Sequence, residues 1–155
     1  MAKGADPSKV TLLSRVELFA DCSKKELSQI ASISTEYDAP AGQILAREGQ
    51  PGAEFFIIVS GRATASHNGV FLAELAPTNF FGELALLDGG PRTATVVADT
   101  DLHLLVLSRR EFAQLCRAHP SVSYRMLKVL GARLRQADEM IGAARHTESS
   151  AHVTV

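Results

Sequence analysis

Tryptophan is absent from the sequence, and there are only two cysteines, Cys22 and Cys116. Their spacing fits no metal-binding motif, so they read as reduced thiols in or near the core. A charge excess of either sign is also missing. Sixteen Lys and Arg against seventeen Asp and Glu leave a formal net charge of −1. That balance gives no electrostatic reason to expect nucleic acid or an anionic membrane as main partner, while leaving room for a local positive site that takes a small anion. No apolar run approaches the ~20 residues of a membrane span. The opening MAKGADPSKV lacks the apolar stretch of a signal peptide, so a cytoplasmic protein is expected. What remains is an ordinary globular composition, 46% hydrophobic and 21% charged, over 155 residues. That is one domain's worth of chain, able to bury roughly two-thirds of its unfolded surface.

The chain divides into three parts. Residues 9–31 read as helical, with Leu12, Leu13, Val16, Leu18 and Phe19 forming one apolar group. Ser23 followed by Glu26 is a capping box that opens a second short helix, with Leu27, Ile30 and Ala31 turned inward. From 33 to 108 short β-rich runs alternate with turn signals. The runs are Ile33–Ala39, Ile44–Arg47, Phe55–Val59, Arg62–His67, Val70–Leu75, Thr93–Ala98 and Leu102–Leu107. Asn68-Gly69 between two of them is a strong two-residue hairpin signal. So many short strands predict a sandwich or barrel.

From 109 to 141 the chain is helical again. Ser108 and Glu111 form a second capping box, starting a helix to about Arg117. Pro120 suits the first turn of a longer helix to about Ile141, roughly 30 Å long. That helix carries two apolar stripes. Leu127, Leu130, Leu134, Ala137 and Ile141 form a regular seam, and Val122, Met126, Val129 and Met140 lie beside it. One stripe is expected to pack on the body and the other to meet a ligand or a second subunit; the alternative is that both serve the monomer core. Residues 143–155 are small and polar and read as a flexible tail.

The chemistry concentrates in residues 80–94. The order there is a strand end, a short helical turn at Glu83–Leu87, the turn Gly89-Gly90-Pro91, and an arginine, Arg92, delivered at a strand start. Gly82 permits close approach of the backbone to a ligand. The amides of Leu84 and Ala85 sit at a helix start, where N–H groups lack intrahelical partners and attract anions. Arg92 offers a two-pronged donor for phosphate oxygens. Glu83 can accept from sugar hydroxyls, and Thr93 adds a hydroxyl. Together these residues suit a ribose joined to a phosphate.

Phe81-Gly82-Glu83-Leu84-Ala85, six intervening positions, then Arg92-Thr93-Ala94 resembles the phosphate-binding cassette of the cyclic nucleotide-binding domain family. Pro40-Ala41-Gly42-Gln43, Glu48-Gly49 and Phe55–Gly61 are similar to its early strands and turns, so the resemblance spans about residues 12–141. It implies a mainly β fold, an eight-stranded jelly-roll β-barrel (double-stranded β-helix) with N-terminal helices and two C-terminal helices, over residues 9–141. It implies that Glu83 binds the ribose 2′-hydroxyl and Arg92 the cyclic phosphate. The backbone at Gly82, Leu84, Ala85 and Thr93 would surround the exocyclic oxygens, with Ala94 completing the site. Leu86 would contact the hinge of the C-terminal helices. Arg133 and Arg135, on the long helix, are candidates for covering the base.

The resemblance also implies cAMP as the ligand: the family's cGMP-selective members usually carry a basic residue on the strand before the cassette for the guanine carbonyl, and Phe71-Leu72-Ala73-Glu74-Leu75 has no Lys or Arg. A cGMP-selective or dual-specificity receptor is the alternative, as is the sensor fragment of a larger regulator. A cupin-type metalloenzyme is a remote third reading. The histidines, His67, His103, His119, His146 and His152, show no H-x-H pairing. No nucleophile elbow or P-loop is visible. The expectation is therefore a non-catalytic sensor without metal or cofactor. The chain ends soon after Ile141, so no DNA-binding module is expected. Its partners would be the nucleotide and an unidentified protein, or a second copy through the C-terminal helix.

Overall fold

Three of the helices begin where a side chain satisfies a first-turn amide. The computed structural model describes residues 6–153, with the side chains of residues 85, 86 and 146–153 outside the description. Helix α1 (Pro7–Ser14) starts on Asp6, whose carboxylate accepts from the Ser8 amide. A single 3₁₀ turn, Glu17–Phe19, follows. Both expected capping boxes are present, Ser23 with Glu26 opening α2 (Lys24–Ile33) and Ser108 with Glu111 opening α4 (Arg109–Ala118). Between them lie eight strands: β1 (Thr35–Ala39), β2 (Ile44–Ala46), β3 (Glu54–Ser60), β4 (Ala63–His67), β5 (Val70–Leu75), β6 (Phe80–Phe81), β7 (Thr95–Ala98) and β8 (Leu102–Ser108). Helix α3 (Glu83–Asp88) separates β6 from β7, and α5 (Pro120–Val153) ends the description.

The strands form two four-stranded antiparallel sheets, ordered β1-β8-β3-β6 and β2-β7-β4-β5. No strand pairing joins the two among the described residues, so hydrogen bonding does not close them into one ring. At the β4–β5 turn Asn68 and Gly69 have φ of 50° and 77°. That is the left-handed pair a two-residue hairpin needs, since it matches the twist of the flanking strands.

Two cores share the first sheet. Phe55 and Ile57 of β3, Phe80 of β6, and Leu105 and Leu107 of β8 face a helical layer built by Leu13, Phe19, Ile30, Phe112, Val122 and Met126. The alternate residues Phe56, Ile58, Phe81, Leu102 and Leu104 face the space between the sheets. The period-2 geometry of a strand makes this division possible. Across that space stand mostly alanines, including Ala46, Ala63, Ala65 and Ala98.

Two expectations need correction. Helix α5 does not give way to a flexible tail at residue 143; it continues to Val153. Gly142 weakens a helix by only about 1 kcal/mol, and Ala143, Ala144 and Arg145 favour its continuation. Arg92 does not stand at a strand start, because β7 begins at Thr95. Its backbone pairs instead with the β2–β3 loop: the Arg92 amide donates to Gln50 O at 2.9 Å, and the Gly49 amide donates to Arg92 O at 2.8 Å. The two cysteines are free, and burial pushes both thiols up, Cys22 to about 11.

His103 on β8 faces Asp38 of β1 in register. Its Nδ1 lies 2.5 Å from Asp38 Oδ1 and its Nε2 3.3 Å from Glu36 Oε1. The hydrogen bond to Asp38 raises its pKa above the ordinary 6.5, with burial opposing and Glu36 assisting. A raised folded-state pKa adds stability that is fully present below pH 6.5 and is lost as pH rises through the folded value. Thermal melts across pH 6–9 are expected to show that loss, and His103→Gln should flatten it. An unchanged slope in the variant would mean that the pair contributes nothing.

Candidate functional site

A cavity of about 290 Å³ opens between the second sheet and the α3 segment. The alanines make the room: Ala46 and Ala65 line it where larger residues would fill it. Phe80 and Phe81 of β6 line it, as do Leu72, Ala73 and Leu75 of β5. Gly82, Glu83, Leu84, Arg92, Thr93 and Ala94, all expected site residues, line it together. The side chains of Ala85 and Leu86, the expected hinge contact, lie outside the described residues. Arg133 reaches the cavity from α5, whereas Arg135 is exposed and is not among its lining residues.

Arg92 and Glu83 are the two buried charged residues of the described chain, at 8% and 9% exposure. Arg92 Nη1 donates to Gly82 O at 3.4 Å, and the guanidinium lies 5.7 Å from the centre of the Phe56 ring. Phe56 is itself stacked on Phe81 with ring centres 4.8 Å apart. Burial lowers the Arg92 pKa from the ordinary arginine value, and the charges of Glu54 and Glu83 oppose that shift. An arginine nevertheless stays protonated, so a cation is held in a partly dry site. Glu83 does not take Arg92 as its direct ion-pair partner. Arg133 Nη1 donates to Glu83 Oε1 at 2.6 Å, with the Arg133 guanidinium 4.7 Å from the Phe80 ring centre.

Two glycines leave room for the guanidinium. Gly82 has φ of 89°, and a Cβ there would stand 2.5 Å from Arg92 Nη1 and 2.7 Å from Glu54 O. A Cβ on Gly52 would stand 2.0 Å from Arg92 Nε.

A further clasp escaped sequence reasoning. Glu48 accepts from the Asn68 amide at 3.1 and 3.0 Å and from Thr95 Oγ1 at 3.3 Å. His67 Nδ1 lies 2.9 Å from both Glu48 Oε2 and Thr93 O. These contacts tie the β4–β5 turn to the chain just after Arg92. The available signal was Glu48-Gly49, legible only as a family-like turn, and nothing in its spacing pointed to His67.

Residues 38–119 match the profile of the cyclic nucleotide-binding domain. The chain belongs to that family. The domain is 38% identical over 113 residues to a cyclic nucleotide-gated potassium channel of Mesorhizobium japonicum, an alignment covering 72% of this chain and 31% of the channel. It is 38% identical over 105 residues to a cAMP-dependent protein kinase regulatory subunit of Aspergillus niger, covering 66% of this chain and 26% of the subunit. The crystal structure of Thermus thermophilus catabolite activator protein superposes with a TM-score of 0.76 at 32% identity, covering 81% of this chain and 61% of that one. The domain thus spans less than two thirds of each of these relatives.

Gly52→Ala should push the guanidinium out of place and leave the backbone intact. Cyclic nucleotide affinity is expected to fall roughly 10- to 100-fold with an unchanged melting temperature, read by calorimetry and thermal melts. Full affinity in the variant would mean that Arg92 can act from another position.

Proposed function

We propose that the domain is a non-catalytic cAMP receptor. The observation that carries this reading is a buried cation, Arg92, beside a buried acceptor, Glu83, on one cavity wall. A cyclic phosphate brings one permanent negative charge to Arg92, and the ribose brings a hydroxyl to Glu83. The first-turn amides of α3 have no intrahelical partners and add donors on the phosphate side. Thr93 and Ala94 close that side. The apolar walls accept the base, and β5 offers it no Lys or Arg, which supports cAMP over cGMP. A guanine carbonyl left without a donor would cost ~1–3 kcal/mol. The kinase regulatory subunit similar to this chain is itself named for cAMP dependence.

The strand order, with each sheet alternating early and late strands, supports the jelly-roll description of the fold. No helix of the described residues is long and apolar enough to cross a membrane. The proposed receptor is cytoplasmic and works without a cofactor. Calorimetry is expected to show tighter binding of cAMP than of cGMP. Arg92→Ala should cost ~3–5 kcal/mol of that binding, roughly 10²–10⁴ in affinity. Equal or reversed affinities would remove the cAMP assignment, and binding of neither nucleotide would remove the receptor function.

A sensor without chemistry of its own signals by shape or partner. The seam on α5 offers the route. Val122, Met126 and Val129 are buried in the helical layer, while Leu127 and Leu134 are 67% and 64% exposed and Ile141 and Met140 are exposed with them. Self-association of α5 along Leu127, Leu134 and Ile141 is the proposed output, responsive to ligand. Sedimentation should show a cAMP-dependent shift in mass that Leu134→Glu abolishes without weakening cAMP binding. A monomer in every condition would direct the output to a different protein.

A further inference from the structure

Outside a strand a backbone carbonyl has no ladder to hold it and needs a separate partner. The segment that carries Arg92 is in this position. The pairing of β4 with β7 ends at Ser66 opposite Thr95. Arg92, Thr93 and Ala94, which line the cavity, lie beyond that last rung. Gly49 and Gln50 of the β2–β3 loop bond the amide and carbonyl of Arg92. Two bonds on one residue leave the chain free to pivot about them, and a pivot there would carry the guanidinium away from the cavity.

His67, the residue after Ser66 on β4, extends the connection with its side chain. Its Nδ1 lies 2.9 Å from Thr93 O and 2.9 Å from Glu48 Oε2. A carbonyl and a carboxylate can only accept, so Nδ1 carries a proton between them. Nε2 lies 3.3 Å from Asn68 Nδ2, an amide nitrogen that donates. A neutral ring with its proton on Nδ1 therefore satisfies all three contacts, and Glu48 selects that tautomer. Glu48 is in turn fixed from two sides. Its carboxylate accepts from the Asn68 amide, and its own amide donates to Thr95 Oγ1 at 3.2 Å. The His67 side chain is 53% exposed, so the ring fills no core, and its contribution lies in its bonds.

We infer that His67 is a positioning residue for phosphate recognition: with its tautomer set by Glu48, it holds the Thr93 carbonyl and so keeps the Arg92 backbone where the guanidinium meets the cavity. The inference rests on the reading of Arg92 as the partner of the phosphate. His67 is not among the residues that line the cavity. The β4–β5 hairpin thus acts on the ligand through a side chain that does not touch it.

The test uses three variants of the full chain. His67→Ala is expected to weaken cAMP binding about 3- to 10-fold in calorimetry, the value of one hydrogen bond, with an unchanged melting temperature. Asn carries a nitrogen donor as many bonds from Cβ as Nδ1, whereas Gln carries it one bond further out. His67→Asn should therefore restore most of the affinity and His67→Gln should not, although Gln is nearer to His in size. Two readouts need no ligand. Nitrogen NMR of the neutral His67 ring should place its proton on Nδ1. Amide exchange at Gly49 and Arg92 should quicken in His67→Ala while exchange in β3 and β8 stays native. Native affinity in His67→Ala, equal affinities of the Asn and Gln variants, or a neutral ring protonated on Nε2 overturns the inference and leaves the receptor reading intact. Binding of neither nucleotide to the native chain overturns the receptor reading, and exchange and NMR then still decide whether His67 holds the segment.

Discussion

A guanidinium at 8% exposure cannot simply be dropped into a protein, and much of the local structure follows from accommodating Arg92. Desolvating such a charge costs several kcal/mol unless hydrogen bonds and nearby charge offset it. Here the offset is deliberately incomplete. The Gly82 carbonyl accepts one bond at 3.4 Å, the Phe56 face lies beneath, and the Glu54 and Glu83 charges act without direct pairing. A fully satisfied arginine would have no reason to bind an anion. The β2–β3 loop supplies the rigid seat by pairing Gly49 and Gln50 with the Arg92 backbone. Gly52 and Gly82 are there because a methyl group at either position would occupy the guanidinium's volume.

The cavity is the second consequence of how the sheets are filled. On β3, β6 and β8 the apolar residues are large on both faces, so these three strands are buried between helices and the second sheet. The second sheet answers with alanines and with Val96. A close-packed interior leaves little void, so a run of small inward residues opposite Phe56 and Phe81 opens a space at one end of the sandwich. The phosphate-side residues stand at the rim of that space. The apolar lining of the cavity thus comes largely from strand positions, and its charged lining from Glu83, Arg92 and Arg133 outside the strands.

Much of this was legible in the sequence, for identifiable reasons. Ser23–Glu26 and Ser108–Glu111 are reciprocal side-chain and backbone contacts within three residues, and such local chemistry does not depend on tertiary context. Asn68-Gly69 is similarly local, and Val70–Leu75 came out with the predicted bounds. Glu83 and Arg92 were found because one short segment carries both. What escaped detection was long-range. The Glu48–His67–Thr93 clasp joins three separated loops. The Arg133–Glu83 bond spans fifty positions of sequence, a separation no local pattern encodes. The length of α5 escaped for a different reason: polar composition after Gly142 read as a tail, although Ala and Arg are good helix formers and no proline stops the helix. Of the two arginines singled out on α5, helical geometry separated the pair, turning Arg133 to the cavity and Arg135 to solvent.

The two parts of α5 are held by energies of different size. Its first three turns bury Val122, Met126 and Val129. Contacts to α2 and the turn before it, Ser121 with Glu26 at 2.8 Å and Arg125 with Asp21 at 3.3 Å, reinforce them. Burial of that kind is worth about 1.5–3 kcal/mol per large side chain, so this part is anchored to the body. From residue 131 to 145 every residue is exposed, and the bond from Arg133 to Glu83 reaches into the ligand site. A charge-assisted hydrogen bond at a half-exposed arginine is worth on the order of 1–3 kcal/mol. Coupling free energies between a ligand and a distant element fall in the same range, about 1–3 kcal/mol. The bond from Arg133 to Glu83 thus joins the outer part of the helix to the cavity. The boundary between the two falls near Leu130, the last residue of α5 packed against the core.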